Sequence, residues 1–201
     1  MSQPVNINFL LFNGFETLDL FGPVEILAYI ESHKLRYFSI AGGLITSTQG
    51  VSLMTESIDT MPQAGILVLT GGLGTRSLVY DDAFLAVLEH YANQAEYYLT
   101  VCTGSALLAR TGLLDGRRAT SNKKAFDWVT SVSEGPHWIR KARWVVDGKF
   151  YTSSGVSAGM DMSLGFIADL YSVEEADAIA KAIEYHWNRD SGEDTFQFFN
   201  P

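Results

Sequence analysis

Short apolar runs typical of buried β-strands alternate with longer segments of helical periodicity, and this alternation limits the possible folds more than any other feature. The predicted strands cover residues 5–12, 35–41, 66–69 and 97–101. The predicted helices cover residues 20–30, 81–93, 104–109, 157–170 and 173–187. Strands that alternate with helices pair in parallel and are covered on both faces of the sheet. The sequence therefore predicts a flavodoxin-like α/β fold with a doubly wound, mostly parallel sheet.

Two antiparallel hairpins are predicted outside this pattern. The first joins the extended segments 44–47 and 51–55. The second joins segments 142–146 and 150–153 through Asp147-Gly148, a dipeptide typical of two-residue hairpin turns. We expect both hairpins to flank the parallel strands.

Proline and polar residues set the predicted boundaries of the first helix and of the domain. Pro23 is acceptable only in the first turn of a helix, which predicts that this helix begins near Asp19. We expect a single domain over residues 1–187. The polar and aromatic segment 188–201 is predicted to be a tail that is either loose or packed against a neighbouring subunit.

Charge and hydropathy exclude several classes of partner. The chain has 23 acidic and 14 basic residues, and its net charge of −9 repels phosphate backbones, so we expect no nucleic-acid partner. No apolar run reaches the roughly 20 residues that span a bilayer, so we expect no membrane association. The N-terminus lacks the pattern of a signal peptide, and one cysteine cannot form an intrachain disulfide. These features predict a cytoplasmic protein.

Cys102 is the strongest candidate for a reactive group. It follows the predicted strand 97–101 directly, and Gly104 and small residues then begin a helix. A sharp turn between strand and helix exposes its central side chain above the carboxyl edge of a sheet. The first-turn amides of the helix favour the thiolate, so we expect an ionised Cys102. The alternative is an inert cysteine buried in the core.

A second candidate element is the glycine-rich loop that begins with Gly71 and Gly72 after the strand 66–69. Glycines allow backbone amides to turn toward a ligand, as an oxyanion site requires. The alternative is an ordinary flexible loop. The spacing matches no nucleotide-binding motif, so no nucleotide cofactor is implied.

An acidic residue near the end of the first strand is the third candidate. Glu16 and Asp19 both lie near the carboxyl edge of the sheet, where Cys102 is also expected. A carboxyl group beside a thiolate has a raised pKa and can hold a proton for transfer. Local spacing does not choose between the two residues, and capping of the helix is the alternative role for Asp19.

The segment around Gly155 and Val156 is the fourth candidate, as a wall of the pocket. Ser157 is expected to cap the helix that follows. The four histidines are scattered along the chain, and no His/Cys cluster has the spacing of a metal site. We therefore expect no metal and no cofactor.

Several collinear motifs resemble the ThiJ/PfpI superfamily, whose fold is similar to that of class I glutamine amidotransferases. Within it, the chain is most similar to the isonitrile hydratases. In peptidase-like members a histidine follows the cysteine directly, whereas here that residue is Thr103, so a Cys–His pair is not expected. The matching motifs are residues 18–23, 71–74, 101–105, 112–120 and 154–161.

The resemblance implies a set of roles. It marks Asp19, rather than Glu16, as the acidic partner of Cys102, and it adds Thr103 as a helper. It further implies that the backbone amides of Gly72 and Thr103 face developing negative charge, that the protein is a homodimer, and that its substrate is a small molecule.

The implied activity is cofactor-free hydration of an isonitrile to an N-substituted formamide. One alternative is hydrolase, amidase or glyoxalase-type chemistry on another small electrophile with the same cysteine. The other alternative is a non-catalytic stress protein that senses oxidants through oxidation of Cys102.

Overall fold

The computed structural model describes residues 5–198. Its strands are β1 (Val5–Leu10), β2 (His33–Ser39), β3 (Ala41–Thr46), β4 (Ser52–Ser57), β5 (Ile66–Leu69), β6 (Tyr97–Thr100), β7 (Arg118–Ala119), β8 (His137–Trp138), β9 (Trp144–Asp147) and β10 (Phe150–Ser153). Its α-helices are α1 (Thr17–Leu27), α2 (Thr75–Leu78), α3 (Asp82–Ala92), α4 (Gly104–Arg110), α5 (Phe126–Val132), α6 (Ala158–Leu170) and α7 (Val173–Ala182).

One eight-stranded sheet organises this part of the chain, in the order β3-β4-β2-β1-β5-β6-β10-β9. β1 lies at its centre and pairs in parallel with β2 and β5, and β6 pairs in parallel with β5 and β10. Only the outermost pairs, β3–β4 and β9–β10, are antiparallel. The predicted α/β fold with a mostly parallel sheet is confirmed, and both predicted hairpins form its edges.

Helix α1 begins earlier than predicted. Glu16 has an extended backbone and precedes the first helical residue, so Asp19 lies in the first turn and Pro23 lies well inside the helix. The Asp19 amide donates to the Glu16 carbonyl at 3.1 Å, which starts the helix before the proline is reached. Because Pro23 has no amide hydrogen, the helical bond that it would otherwise donate to the Asp19 carbonyl is missing.

Close contacts at two glycines position α4 against β5 and α1 against α6. A side chain at Gly104 would lie 2.6 Å from the Leu69 carbonyl, so α4 packs directly on the end of β5. A side chain at Gly22 would lie 2.7 Å from Met160, which brings α1 against α6. The glycines therefore permit the tight packing that holds the loops after β1, β5 and β6 together.

Some predicted boundaries were wrong. Helix α7 ends at Ala182 rather than near residue 187. The short helices α2 and α5 and the parallel pair β7–β8 were not predicted. These elements are short, so they carry too few residues to show a period in the sequence. Within residues 5–198, no helix has the length and apolar composition needed to cross a bilayer.

The described part of the tail, 188–198, packs against its own chain. The Asn188 amide donates to Asp161 at 3.0 Å, and the Arg143 amide donates to the Ser191 carbonyl at 2.9 Å. The Asp194 amide donates to the Lys141 carbonyl at 2.7 Å, and the Asp194 side chain is buried. Residues 199–201 lie outside the described part. The segment up to Asp194 is thus held by hydrogen bonds to its own domain.

Candidate active site

The predicted site residues meet at the carboxyl edge of the parallel strands. Asp19 lies in α1 after β1, Gly71 follows β5, Cys102 follows β6, and Val156 follows β10. These four strands are neighbours in the sheet, since β10, β6, β5 and β1 are consecutive in its order. Parallel strands end at the same edge, so the loops that follow them converge on one place.

Cys102 occupies a strained turn between β6 and α4. Its φ angle is +58°, in the left-handed region that only glycine enters without a steric penalty. Its amide donates to the Ser154 carbonyl at 3.1 Å, while its carbonyl accepts from Ser121 Oγ at 2.8 Å and from Ser105 Oγ at 3.1 Å. These bonds hold the backbone in a conformation that costs about 1–3 kcal/mol. The predicted strand–turn–helix geometry is confirmed.

A cavity of about 330 Å³ opens beside Cys102. The residue is only 6% exposed and otherwise packs in the hydrophobic core, so this cavity is the side from which a small molecule can approach the sulfur. A larger cavity of about 460 Å³ lies elsewhere, between β3 and α3, and Cys102 is not part of it. The cavity beside Cys102 is lined by Glu16, Gly72, Leu73, Arg76, Thr103, Asn122, Lys124, Ala125 and Val156.

Asp19 is the carboxyl group next to the thiol. Its Oδ2 accepts from the Gly71 amide at 2.9 Å, while its buried Oδ1 has no hydrogen-bond partner of normal geometry in the described residues. Burial raises the pKa of Asp19 to about 7, against the lowering effect of the Gly71 bond and of the Cys102 thiol. Asp19 can therefore hold or release a proton near neutral pH.

Glu16, the other carboxyl group considered, has a different environment. It is partly exposed, lines the cavity, and accepts from Gln49 Nε2 at 2.8 Å. Its negative charge contributes to the raised pKa of Asp19. The two carboxyl groups thus lie at different depths, with Asp19 beside the sulfur and Glu16 at the cavity wall.

The expectation of an ionised Cys102 was wrong. Burial raises the pKa of the thiol well above its usual value, and the negative charge of Asp19 raises it further. The amides of Thr103 and Val156 lower the pKa of the thiol by hydrogen bonding, but they do not offset these two effects. The helix whose first-turn amides were expected to favour the thiolate, α4, has only seven residues. Cys102 therefore rests as a thiol next to a carboxyl group that can take its proton.

The glycine-rich loop supports the site through bonds that it makes to protein. The Gly71 amide is bound to Asp19, and the Gly72 amide donates to Thr103 Oγ1 at 3.1 Å. Thr75 Oγ1 also donates to Thr103 Oγ1, at 3.0 Å. Both loop amides are thus occupied, so the expected oxyanion role of the Gly72 amide does not match the geometry. The amides that face the sulfur are those of Thr103 and Val156.

Gly155 and Val156 form the opposite wall. A side chain at Gly155 would collide with the Asn122 side chain, and Val156 has a φ angle of +49°. Ser157 precedes α6, but its side chain does not cap the helix, because its backbone is already helical. Its Oγ instead accepts from Arg143 Nη2 at 3.4 Å. The expected capping role of Ser157 was therefore wrong.

Three polar residues of the cavity were not predicted as site residues. Arg76 comes from α2, while Asn122 and Lys124 come from the segment before α5. The Arg76 guanidinium stacks on the indole of Trp128, 3.5 Å from the ring centroid. Neither short helix was expected, so no sequence pattern indicated that Arg76 and Lys124 would line the cavity beside Cys102.

A buried charge cluster lies behind this wall. It consists of Lys123, Arg143, Asp161 and Asp194. Arg143 Nε donates to Asp161 Oδ2 at 2.5 Å, and Arg143 Nη1 lies 3.8 Å from Asp194 Oδ1. Lys123 Nζ donates to the Ala142 carbonyl at 2.6 Å, and burial lowers the pKa of Lys123 to about 8. The cluster ties the tail to the segment that carries Asn122 and Lys124.

The site is built from one thiol, carboxyl groups and backbone amides. Within residues 5–198, no three His, Cys, Asp or Glu side chains lie close enough together to hold a metal ion. His33, for example, is bonded to the Leu27 carbonyl and to Tyr171, far from the cavity in the fold. The groups present can add a thiol to an electrophile and transfer one proton.

Known proteins resemble this chain over most of its length. It is 32% identical to the isonitrile hydratase of Pseudomonas putida over 182 residues, which are 90% of this chain and 78% of that protein. It is 28% identical to the transcriptional regulator GbdR of Pseudomonas aeruginosa, and the match covers 91% of this chain and 51% of that protein. It is 29% identical to a deglycase of Thermococcus kodakarensis, over 70% of this chain and 84% of the deglycase.

A solved structure and a family model agree with these relatives. The crystal structure of a ThiJ/PfpI family protein from Pseudomonas syringae superposes with a TM-score of 0.82 at 28% identity, covering 94% of this chain and 77% of that one. Residues 5–169 match the model of the DJ-1/PfpI family. This match covers far more than half of the chain and includes every predicted site residue. The chain belongs to the DJ-1/PfpI family.

Proposed function

We propose that this protein is a cofactor-free enzyme that hydrates an isonitrile to an N-substituted formamide, with Cys102 as nucleophile and Asp19 as proton carrier. The observation that carries the proposal is a buried carboxyl group, with a pKa of about 7, beside the only thiol of the chain at the end of a cavity. The similarity to an isonitrile hydratase supports the choice of substrate class.

In the first step, Asp19 takes the proton of the Cys102 thiol while the sulfur attacks the terminal carbon of R–N≡C. Asp19 then delivers this proton to the same carbon, which gives the thioimidate R–N=CH–S–Cys102. A base with a pKa near the working pH is suited to both transfers, because it accepts and donates the proton with similar ease. A preformed thiolate is not required.

In the second step, water adds to the C=N bond, with its hydroxyl on carbon and its proton on nitrogen. The resulting adduct breaks its C–S bond and releases R–NH–CHO, while the hydroxyl proton returns to the sulfur through Asp19. The thiol and the carboxyl group are thereby restored. Division of one difficult hydration into two additions is the advantage that a covalent nucleophile provides.

Thr103 and Val156 have supporting roles in this proposal. Their amides face the sulfur and stabilise negative charge as it develops there during proton transfer. The Thr103 hydroxyl joins the Cys102 turn to the glycine loop through Gly72 and Thr75. We propose that this link keeps Asp19, bound to Gly71, at a constant distance from the sulfur.

The nucleophile is tested with Cys102→Ala and Cys102→Ser, assayed for formamide production from cyclohexyl isocyanide. We expect both variants to lose at least about 10³-fold in kcat, since removal of an attacking group leaves only binding effects. Mass spectrometry of acid-quenched wild-type enzyme should show a thioimidate adduct on Cys102.

The two variants control for each other, because alanine removes the attacking atom and serine replaces it with a weaker nucleophile of similar size. Both should retain the wild-type circular dichroism spectrum. An alanine variant that keeps the wild-type rate would disprove covalent catalysis by Cys102.

The similarity to a deglycase favours one second candidate, glyoxalase-type chemistry or hydrolysis on another small electrophile. The same pair of groups would then add the thiol to a carbonyl carbon. Parallel assays of methylglyoxal, small amides and isonitriles separate the two candidates. Turnover of methylglyoxal with a kcat/KM above that of every isonitrile tested would favour this second function.

A further inference from the structure

Arg76 is the one arginine of the described chain whose side chain makes neither an ion pair nor a hydrogen bond. Five other arginines pair with carboxylates, and Arg110 and Arg118 donate to backbone carbonyls. An unpaired guanidinium is unexpected in a chain with 23 acidic and 14 basic residues. Its position in the cavity beside Cys102 therefore points to a role in ligand binding.

The position of the Arg76 guanidinium is fixed by aromatic stacking. It lies 3.5 Å from the centroid of the Trp128 ring, on helix α5. Stacking occupies the face of the guanidinium and leaves its N–H groups free at the edge, where they can bind two oxygen atoms of one ligand. Burial lowers the pKa of Arg76, and negative charge that develops on Cys102 raises it, so the two side chains are close enough to interact.

A second cation accompanies Arg76 at the cavity. Lys124 is exposed, lines the same cavity, and has no carboxylate within 4.0 Å in residues 5–198. The facing anionic groups are Glu16, which is bonded to Gln49, and Asp19, which is partly protonated at neutral pH. The cavity is thus more positive than the rest of this acidic chain, and it favours an anion.

We propose that the substrate attacked by Cys102 carries an oxyanion group, a carboxylate or a phosphate, which Arg76 binds with help from Lys124. Together with the proposed function, on which this substrate class rests, the proposal names an isonitrile with an anionic substituent. Arg76 is then a residue that determines specificity, while the reacting groups remain Cys102 and Asp19. The cavity volume of about 330 Å³ limits the ligand to a small molecule.

The first test measures alkylation of Cys102 by iodoacetate and by iodoacetamide, which differ in charge and share the reacting carbon. No other thiol exists in the chain, so reagent consumption reports Cys102 alone. Because Arg76→Gln removes the charged hydrogen bonds to the carboxylate, we expect it to lower the iodoacetate rate relative to the iodoacetamide rate about tenfold or more. Arg76→Lys should lower this ratio less.

Lys34→Gln is the matched control for the loss of one positive charge. Lys34 is exposed on β2 near its amino end, at the edge of the sheet opposite Cys102. This variant should keep the wild-type ratio of the two alkylation rates. An Arg76→Gln variant with the same ratio as wild type would show that Arg76 binds no anion at this site.

The second test compares an isonitrile that carries a carboxylate with its methyl ester. In Arg76→Gln we expect KM for the carboxylate to rise about tenfold while KM for the ester stays constant. Equal KM changes for both compounds would overturn the specificity role. Protection of Cys102 from iodoacetamide by propionate or by inorganic phosphate identifies which oxyanion binds better.

The two tests separate this proposal from the proposed function. If no isonitrile is turned over but Arg76→Gln still selectively slows iodoacetate, the anion site stands and the isonitrile activity fails. If isonitriles are turned over but neither test responds to Arg76→Gln, the activity stands and the anion site fails.

Discussion

At the scale of single residues, the proposed mechanism depends on one proton that passes between Cys102 and Asp19. Both groups have raised pKa values, and burial is the largest cause for each. A raised pKa of a thiol suppresses the free thiolate, whereas a raised pKa of a carboxyl group makes it a better base. The residue that was expected to be ionised is therefore neutral, and in the proposed mechanism Asp19 activates it by accepting its proton.

The raised pKa of Asp19 predicts how stability depends on pH. The folded state binds this proton more tightly than the unfolded state, so the free energy of unfolding falls as pH rises from 3.8 to about 7. A shift of about three units corresponds to about 4 kcal/mol. The Asp19→Asn variant has no carboxyl group to ionise at this position, so it does not lose this free energy of unfolding. Its stability relative to wild type should therefore increase by about 4 kcal/mol between pH 4 and pH 8.

Urea denaturation of both proteins at a series of pH values measures this difference. The same comparison in a Cys102→Ala background removes the contribution of the thiol. Parallel stability curves for wild type and Asp19→Asn would contradict a pKa near 7. The variant should also lose catalysis, because an amide cannot carry the proton.

Gly71 is predicted to tolerate no side chain. A Cβ atom there would lie 2.5 Å from the Thr103 amide and 2.9 Å from Asp19 Oδ2. Gly71→Ala must therefore displace both Thr103 and the Asp19 carboxyl group, which are neighbours of Cys102. We expect a loss of about 1–3 kcal/mol in stability, typical of overpacking, together with a lower kcat. Thermal unfolding and the formamide assay measure the two effects.

Gly192→Ala is the control for the Gly71 experiment. Its Cβ atom would come no closer than 3.4 Å to Asp190, an ordinary contact in the tail. This variant should differ from wild type by no more than about 0.5 kcal/mol, as surface substitutions usually do. A Gly71→Ala protein as active and as stable as this control would refute the packing argument.

At the scale of elements, the parallel strands bring the reacting groups together, while short segments complete the cavity. Strands β1, β5 and β6 end side by side, and the chain continues into Asp19, Gly71 and Cys102. Helix α2 adds Arg76 to the cavity, and α5 adds Trp128, on which the Arg76 guanidinium stacks. The tail supports the segment that carries Asn122, because Asp194 lies within 4.0 Å of Lys123, the next residue, and within 3.8 Å of Arg143.

The tail is predicted to stabilise the domain through this charge cluster. A chain that ends at residue 190 loses Asp194 and the Ser191 carbonyl, and so leaves Lys123 and Arg143 short of partners. Removal of one partner from a buried ion pair costs about 3–5 kcal/mol, and we expect a loss of stability in this range. Urea denaturation measures it.

A chain that ends at residue 195 is the matched control, since it keeps Asp194 and removes only residues 196–201. This shorter deletion should stay within about 1 kcal/mol of the full chain, as surface changes usually do. Equal stability of the two deletions would mean that Asp194 does not stabilise the cluster.

At the scale of the whole molecule, sequence patterns were sufficient to predict the architecture of the sheet. The apolar run Ile66–Leu69 and the hairpin at Asp147-Gly148 were predicted with nearly the observed bounds, because strand period and turn chemistry are local properties. The turn at Cys102 was equally predictable, since a strand ends directly before the cysteine and Gly104 follows two residues after it. These features depend only on residues that are neighbours along the chain, so the sequence alone can reveal them.

The sequence by itself determined the order of the elements, the sheet, and the position of Cys102 at its carboxyl edge. Only the tertiary structure decided that the thiol is neutral, that the Gly72 amide is occupied, and that Arg76 and Trp128 meet at the cavity. The physical reason is that pKa values, hydrogen-bond partners and charge pairs depend on burial and on distances between residues far apart in the chain. Such distances are fixed by packing, and no local pattern records them.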